Sequence, residues 1–403
     1  MAVALEAPTQ LPPVPGIRLA TCAAGIRYRD RDDLLLIDAG SDAAIAALFT
    51  RNAFCAAPVQ VAREHLETDA PRWLLINAGN ANAGTGSAGL AAARATCVAA
   101  GRALGVPAQA VLPFSTGIIG EPLPVERIEA ALPDLVSGLA PDGWMAGGRA
   151  IMTTDTVLKG GSRRVRLAAG EITLTGIAKG SGMIHPDMAT MLAFIGTDAR
   201  IDAAGLRELL IGAAEQSFNA ITVDGDTSTN DALVCVASGA SGVTIGPGAD
   251  RERFAEALNA LCLELAEAIV RDGEGATKFV RVTVGSARDR DEARRVAEAV
   301  ALSPLVKTAL FASDPNWGRI LAAVGRSGVE DFRIDRVRIA VNGVQIVSEG
   351  GRAPGYTEEA GQQAFGEAEL DILIELARGD ASYRKYTCDF SYDYVRINAD
   401  YRS

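Results

Sequence analysis

The chain has 403 residues, of which 48% are hydrophobic and 22% are charged, and its formal net charge is −11. The length predicts two domains, and the composition is typical of globular rather than disordered proteins. The acidic balance argues against a nucleic-acid partner, which would need clustered lysine and arginine. No apolar run approaches the roughly 20 residues needed to span a bilayer, and the amino-terminal segment lacks the basic region of a secretory signal.

The cysteines and histidines limit the kinds of site that the chain can form. Six cysteines are scattered without a CxxC pair, which favours reduced, buried thiols in a cytoplasm over disulfides or a zinc site. His65 and His185 are the two histidines, so a His-rich metal centre is excluded and a Ser-His-Asp triad would depend on one of them. We therefore expect no metal and no cofactor, and a covalent catalyst would use a base other than imidazole.

Short runs with β-branched residues alternate with alanine-rich stretches, a pattern that predicts an α/β chain. The predicted strands, in chain order, are residues 16–21, 34–38, 73–77, 171–178, 279–284 and an aromatic-rich strand at 383–397. The predicted helices are residues 41–51 with Ser41 as N-cap, 88–104, 250–271 and 289–301. A glycine-rich turn at 272–275 precedes the predicted domain boundary, which separates domains 1–280 and 281–403.

The segment 178–195 carries the densest chemical pattern, because a glycine-flanked serine and a proline-containing turn lead to Thr190 at the start of an apolar strand. A threonine placed directly after Ala189 suits an amino-terminal nucleophile. Its hydroxyl can attack the Ala189 carbonyl, and hydrolysis of the resulting ester frees the α-amine of Thr190. An α-amine has an intrinsic pKa of about 7.7–8.0, so it can deprotonate its own hydroxyl. The alternative is a turn before a core strand with an incidental threonine.

Three further segments are glycine-rich or polar. In residues 113–120, a hydroxyl beside a glycine amide either donates hydrogen bonds to a developing oxyanion or forms a turn before a helix. Residues 77–86 follow a strand but lack GxGxxG and GxxxxGK[ST] spacing, so nucleotide binding is weakly indicated. Residues 224–231 are rejected as an EF-hand because Thr229 and Cys235 replace the required Gly and Glu. A polar turn near an active site and a solvated loop both remain for this segment.

Together these motifs closely resemble those of the ornithine acetyltransferase family, the glutamate N-acetyltransferases of arginine biosynthesis. The resemblance runs from about residue 16 to residue 403. It rests on NAGNAN at 77–82, STGIIG at 115–120, MTTDT at 152–156, KGSGMIHPDMATML at 179–192, TVDGDTSTND at 222–231, DPNWGR at 314–319 and NADYRS at 398–403. One departure is Gly84, which stands where members often have cysteine. We see no reason for it to disturb catalysis.

The resemblance implies a role for several residues of this chain. Thr190 would be the nucleophile, freed by cleavage after Ala189, and Thr116 and Gly117 would form the oxyanion hole. Substrate contacts are implied for Thr156, Lys179, Thr190, Glu274, Asn398 and Ser403. Thr154 competes with Thr156, because that motif holds three threonines.

The charges among these residues agree with an amino-acid substrate. The ammonium of Lys179 could hold an α-carboxylate or lower the pKa of the new α-amine. Glu274 could pair with the side-chain ammonium of ornithine. The alternatives are a surface lysine and a solvated turn carboxylate. A role for Asn398 and Ser403 requires the last residues to fold back into the cleft, and His185 is expected to be a structural hydrogen-bonder.

The family resemblance implies a layered αββα sandwich similar to the N-terminal nucleophile hydrolases, with a smaller C-terminal α/β domain. Cleavage would give chains 1–189 and 190–403, assembled as an α2β2 heterotetramer. N-acetylornithine would acylate Thr190, and glutamate would then take the acetyl group in a ping-pong reaction. The sequence does not decide whether acetyl-CoA is also a donor. The alternatives are a self-cleaving aminopeptidase or amidase of similar architecture and a catalytically silent small-molecule-binding protein.

Overall fold

The structure, a computed structural model, describes residues 2–67, 71–185 and 191–400. The described residues belong to two compact units. The larger unit comprises Glu6–Asn219 and Asp226–Ile269, and the smaller unit is drawn from Met1–Leu5, Ala220–Gly225 and Val270–Ser403. The domain limits 1–280 and 281–403 stay a prediction.

The described part of the larger unit contains nine strands and six helices. The strands are β1 (Arg18–Cys22), β2 (Leu34–Asp38), β3 (Ala44–Phe49), β4 (Trp73–Asn80), β5 (Val111–Ile118), β6 (Lys159–Leu167), β7 (Gly170–Lys179), β8 (Leu192–Thr197) and β9 (Ala232–Ala237). The helices are α1 (Ala57–Leu66), α2 (Gly86–Leu104), α3 (Val125–Ser137), α4 (Trp144–Ala150), α5 (Ala203–Gln216) and α6 (Ala249–Arg271), whose last two residues are grouped with the smaller unit.

Two sheets of the larger unit pack face to face. Their strand orders are β1-β2-β4-β5 and β3-β9-β8-β7-β6. Successive side chains of a strand point to opposite faces, so Leu35 of β2 lies in the core between the sheets together with Phe194 of β8. Phe114 of β5 meets the Phe194 ring edge to face at a centroid distance of 5.2 Å. This shared apolar core holds the two sheets together.

Helices cover the outer faces of both sheets. Leu34 of β2 points away from the shared core and packs with Cys97 of α2 and Leu132 of α3. On the other sheet, Leu265 of α6 lies over β7 at Gly176. The larger unit is therefore a helix–sheet–sheet–helix sandwich, and the layered αββα class predicted for this chain is confirmed.

The predicted helix at residues 41–51 is wrong, because this segment forms strand β3 and Ser41 caps no helix. β3 pairs antiparallel with β9 along its whole length, with Ala44 opposite Ala237. The side chains of Ile45 and Leu48 are buried. Pairing and burial outweigh the weak helical preference of the alanines in this stretch.

The smaller unit contains a mixed sheet with the strand order β13-β12-β11-β14-β10-β15 among its described residues. The strands are β10 (Phe279–Ala287), β11 (Arg338–Val341), β12 (Val344–Ser348), β13 (Gly351–Arg352), β14 (Glu369–Glu375) and β15 (Ala381–Cys388). The helices are α7 (Arg290–Ala301), α8 (Pro304–Phe311), α9 (Trp317–Gly325), α10 (Glu358–Gly366) and α11 (Tyr392–Ala399). Across residues 2–67, 71–185 and 191–400, no helix is long and apolar enough to cross a membrane.

The predicted strand at 383–397 is correct only in its first part. β15 ends at Cys388, and α11 starts four residues later. The Ser391 hydroxyl oxygen accepts hydrogen bonds from the backbone N–H groups of Asp393 (3.1 Å) and Tyr394 (3.4 Å). This N-cap satisfies amides that the first turn leaves without partners, and it ends the extended conformation.

All five lysines of the chain are buried or nearly so. Lys159, Lys278, Lys307 and Lys385 are at most 5% exposed, and the Lys179 side chain is 11% exposed. Burial lowers the pKa of Lys278 and of Lys307, although nearby carboxyl groups oppose the shift. The positive charge on the protein surface is therefore carried by arginine.

Candidate functional site

Thr116 and Gly117, the predicted oxyanion-hole residues, lie near the end of β5 rather than in a turn before a helix. β5 runs parallel to β4, with Gly79 opposite Gly117 and a shift of register at Asn80. Gly117 has a φ of +134°, and a Cβ atom placed on it would lie 2.2 Å from the carbonyl carbon of Gly79. A side chain cannot occupy that space, so glycine is what allows the two strand ends to approach this closely.

Lys179, the last residue of β7, reaches this strand end with its ammonium group. Lys179 Nζ donates hydrogen bonds to Thr116 Oγ1 at 3.2 Å and to Thr153 Oγ1 at 2.8 Å. Thr116 lies 63 residues from Lys179 in the chain. The structure thus brings together three of the separated sequence motifs, and it excludes a surface position for Lys179.

The carboxylate of Asp155 lies close to the Lys179 ammonium and helps to fix its position. Its Oδ1 accepts hydrogen bonds from Lys159 Nζ and from the Gly180 N–H, both at 2.7 Å, and Oδ2 accepts one from the Thr153 N–H at 2.9 Å. Oδ2 also lies 4.0 Å from Lys179 Nζ. Burial alone would raise the pKa of this carboxyl, but the two lysines and the Gly180 amide hold it well below its usual range. Asp155 is therefore a charged anchor for Lys179.

The three threonines of the MTTDT motif lie in different environments. Thr153 contacts Lys179, whereas Thr154 Oγ1 lies 2.6 Å from Ser181 Oγ. Thr156 is exposed. The sequence interpretation weighed Thr154 against Thr156 and missed Thr153. Whether Thr156 or Thr154 contacts substrate stays a prediction.

A small cavity of about 40 Å³ lies beside the Lys179 ammonium in the larger unit. It is lined by the end of β5, the end of β7, the start of β8 and a polar loop before β9. Six of its lining residues matter for the chemistry: Thr116, Lys179, Met191, Ser228, Asn230 and Asp231.

The polar loop is tied to the strand that carries Thr116. Asn230 Nδ2 donates to the carbonyl oxygens of Ala81 (2.6 Å) and Ser115 (2.9 Å), and Asn230 Oδ1 accepts from the Thr229 hydroxyl (2.6 Å). Thr229 and Asn230 are also buried. Of the two interpretations kept for residues 224–231, the polar turn near a candidate site is the one that this part of the loop fits.

Asp231 ends this loop and was not identified from the sequence. It is 2% exposed. Burial raises the pKa of its carboxyl well above the usual range, while hydrogen bonds from the Ser228 hydroxyl and the Met191 amide and the charge of Lys179 act in the opposite direction. No described residue donates a hydrogen bond to its Oδ2 atom. An acid in such an environment is a candidate for a functional group.

In the smaller unit, the structure joins two more predicted residues. Glu274 is 7% exposed, and its Oε2 accepts a hydrogen bond of 2.9 Å from Asn398 Nδ2. Asn398 lies in α11, and the Ser391 hydroxyl that caps this helix also donates to the Gly275 carbonyl at 2.6 Å. Helix α11 and its N-cap are therefore hydrogen-bonded to the glycine-rich turn, and Glu274 is not a solvated carboxylate.

Some predictions fall outside the described residues, namely those for Ala189, Thr190 and Ser403. His185 is described, and its carbonyl oxygen accepts a hydrogen bond of 3.0 Å from the Thr227 hydroxyl. No cluster of three or more His, Cys, Asp or Glu side chains suited to a metal ion occurs in residues 2–67, 71–185 and 191–400.

The larger unit is a layered α/β sandwich with a lysine–hydroxyl cluster at its strand ends, an arrangement that suits an enzyme site. A model of the ArgJ family matches residues 18–403. The arginine biosynthesis bifunctional protein ArgJ of Methylococcus capsulatus is 58% identical, over 98% of this chain and 97% of that protein. The ArgJ protein of Psychrobacter arcticus is 53% identical, over 98% of each. The chain belongs to the ArgJ family and is an enzyme of arginine biosynthesis, so the family recognised from its motifs is confirmed.

A crystal structure of arginine biosynthesis bifunctional protein ArgJ from Bacillus halodurans is also similar to this chain. It is 42% identical with a TM-score of 0.50, and the match covers 52% of this chain and 99% of that chain.

Proposed function

We propose that this enzyme transfers an acetyl group from N-acetylornithine to glutamate and so produces ornithine and N-acetylglutamate. The observation that carries the proposal is the 3.2 Å hydrogen bond from Lys179 to Thr116, because it puts a cation beside candidate oxyanion donors at the wall of a small cavity. Family membership supplies the class of pathway, and the charges of the site residues suit amino-acid substrates.

Self-cleavage between Ala189 and Thr190 is the first proposed step. The support is the position of Thr190 after a small residue in the long motif at 179–192. The Bacillus halodurans chain gives a second argument. The match includes 99% of that chain but only 52% of this one. The proposed fragment 190–403 likewise makes up just over half of this chain.

In each acetyl transfer, the α-amine of Thr190 would take the proton of its own hydroxyl, and the hydroxyl oxygen would attack the acetyl carbonyl. The Thr116 hydroxyl and the Gly117 amide would donate hydrogen bonds to the oxyanion, and one such donor is typically worth about 3–4 kcal/mol. Lys179 supports this role. Because it donates to Thr116 Oγ1, the proton of that hydroxyl stays available for another acceptor.

The same residues suggest how the substrates bind. Lys179 would hold an α-carboxylate, with Thr154 or Thr156 and Ser403 as further contacts. Glu274, fixed by Asn398, would bind the side-chain ammonium of ornithine. A ping-pong sequence follows, since ornithine leaves before glutamate accepts the acetyl group. We further propose that chains 1–189 and 190–403 assemble as α2β2 in the cytoplasm.

Intact-mass analysis of wild type beside Thr190→Ala and Thr190→Ser tests the cleavage. We expect two fragments from the wild type and one uncut chain from the alanine variant, with cleavage retained when serine keeps the hydroxyl. A fully active wild type with an unbroken chain would contradict the mechanism.

Acetyl transfer is then measured from N-acetylornithine, and separately from acetyl-CoA, with and without glutamate. Glutamate-dependent turnover from N-acetylornithine supports the transferase. Glutamate-independent release of acetate would instead identify a self-cleaving amidase. Turnover with acetyl-CoA decides whether the enzyme also uses that donor.

A further inference from the structure

The carboxyl group of Asp231 is a buried acid that the proposed mechanism does not use. It lines the same cavity as Lys179 and Thr116, and it is 2% exposed. Its Oδ2 has no hydrogen-bond donor among the described residues. A buried polar atom without a partner is unfavourable and is rarely kept unless a ligand or a reaction uses it.

The position of Asp231 along the chain points to the acyl-transfer chemistry. The Met191 amide, which hydrogen-bonds the Asp231 carboxyl, belongs to the second residue of the proposed chain 190–403. The side-chain amide of Asn230, the preceding residue, donates a hydrogen bond to the carbonyl oxygen of Ser115, which is next to the candidate oxyanion donors. The acid is therefore hydrogen-bonded to one segment that the reaction needs, its neighbour in the chain is tied to the other, and the cation of their shared cavity suits a carboxylate.

We propose that Asp231 is a further catalytic residue, which gives a proton to the nitrogen of the departing amino acid and takes one from the nitrogen of the incoming amino acid. The inference rests on the proposed acetyl transfer through Thr190. It assigns a proton carrier to the substrate nitrogen, in addition to the α-amine that serves the Thr190 hydroxyl.

The proton balance is closed over the two half-reactions. In the first, the Thr190 oxygen bonds to the acetyl carbon, its proton passes to the α-amine, and the C–N bond of N-acetylornithine breaks as the Asp231 carboxylic acid protonates the leaving nitrogen. In the second, the neutral glutamate amine bonds to the acetyl carbon and loses a proton to the Asp231 carboxylate. The C–O bond to Thr190 then breaks, and the α-ammonium returns the proton to the hydroxyl.

The surroundings of Asp231 suit an acid that changes its protonation state during turnover. Burial raises the pKa of this carboxyl well above its usual range and so favours the protonated form, which is the form that a general acid needs. Two titratable groups interact electrostatically with the Asp231 carboxyl. The charge of Lys179 favours the ionised form of Asp231. Asp231 in turn raises the pKa of the Cys55 thiol, which burial also raises. Ser228 and Met191 supply uncharged hydrogen bonds.

The test compares Asp231→Asn with the wild type, using N-acetylornithine and 4-nitrophenyl acetate as acetyl donors. The phenolate of the ester leaves without a proton, whereas the ornithine nitrogen needs one. We expect Asp231→Asn to be cut normally. Its single-turnover acetylation by N-acetylornithine should fall by about 10²–10⁴-fold, while acetylation by the ester should change little. Asp142→Asn, which alters an exposed aspartate, is the control and should match the wild type with both donors.

Equal loss with both donors would overturn the proposal, since it would indicate a structural role. An uncut Asp231→Asn chain would also overturn it, because Asp231 would then act in cleavage. A wild type that is cut but acetylated only by the ester would refute the proposed function instead. If the variant does not fold, the wild type alone decides. Its ratio of amide to ester acetylation rates must fall as rising pH removes the Asp231 proton, and a constant ratio would refute the idea.

Discussion

Gly117→Ala tests the close approach of the strand ends that shapes the candidate oxyanion hole. A Cβ atom at this position would lie 2.2 Å from the Gly79 carbonyl carbon, 2.5 Å from the Asn80 nitrogen and 2.6 Å from the Gly79 oxygen. All three neighbours are backbone atoms, so no side chain can rotate away. The φ of +134° adds strain, because this region is rarely adopted by residues other than glycine.

The expected loss of stability is a substantial fraction of the stability of a domain. Overpacking of this kind typically costs about 1–3 kcal/mol, and a non-glycine residue in a sparsely populated backbone region costs about 1–3 kcal/mol. Together they predict a loss of about 2–6 kcal/mol, compared with about 5–15 kcal/mol for a whole domain. Relief of the contact must move β4 and β5 apart. A displacement of about 1 Å at a catalytic group can lower the rate about 10²-fold.

Urea denaturation and acetyl-transfer assays of Gly117→Ala measure both effects. Gly212→Ala is the matched control, because Gly212 lies inside α5 and a Cβ atom there would meet nothing within 4 Å. The control should be unchanged in activity and up to about 1 kcal/mol more stable, since alanine favours helix. If Gly117→Ala unfolds at the same urea concentration as the wild type and keeps its activity, the inferred crowding of β4 and β5 is wrong.

Three further substitutions and one control, Glu64→Gln, test the charges. Asp155→Asn should destabilise the protein by about 3–5 kcal/mol in urea unfolding, because it leaves the fully buried Lys159 ammonium without its counter-charge. Glu64→Gln, which breaks an exposed ion pair, should have little effect. Since the folded-state pKa of Asp155 is lowered, the loss should be full above about pH 4 and shrink below it; a loss that does not vary with pH would contradict this. Relative to the wild type, Asp231→Asn should gain stability as pH rises above about 4, by at most about 1.4 kcal/mol per pH unit. The reason is that the pKa of Asp231 is raised in the folded state, so its deprotonation favours unfolding. Parallel curves of unfolding free energy against pH for the two proteins would rule this out. Glu274→Gln should raise the KM for N-acetylornithine about 10–100-fold through loss of a charged hydrogen bond, and an unchanged KM would exclude an ornithine contact.

The elements with strong local patterns were predictable, and those fixed by partners far away in the chain were not. Helix α6 repeats apolar residues at helical spacing, and the prediction for 250–271 matches its bounds within one residue. Strand β3 has an alanine-rich sequence whose conformation depends on pairing with β9. The break between β15 and α11 did have a local signal, because Ser391 precedes an acidic first turn.

The sequence predicted those site residues that belong to a recognised motif. It did not predict those whose contacts depend on strand pairing or burial. Lys179 and Thr116 were identified through the family resemblance. Asp155 was passed over, because its approach to Lys179 results from the β6–β7 hairpin, in which Lys159 lies opposite Ala178. A carboxylate 24 residues before a lysine gives no sign of such a contact. Asp231 was treated as part of a polar turn, since burial cannot be read from a run of polar residues.

The burial of every lysine makes the folded protein a poor target for amine-directed chemistry. N-hydroxysuccinimide esters and cross-linkers react with accessible, unprotonated amines, and the five lysine side chains are at most 11% exposed. Under gentle labelling, α-amines should therefore carry most of the reagent, and each extra amino terminus created by a backbone cut would add one. Labelled termini, counted by mass spectrometry, would then report the number of polypeptides in the native enzyme.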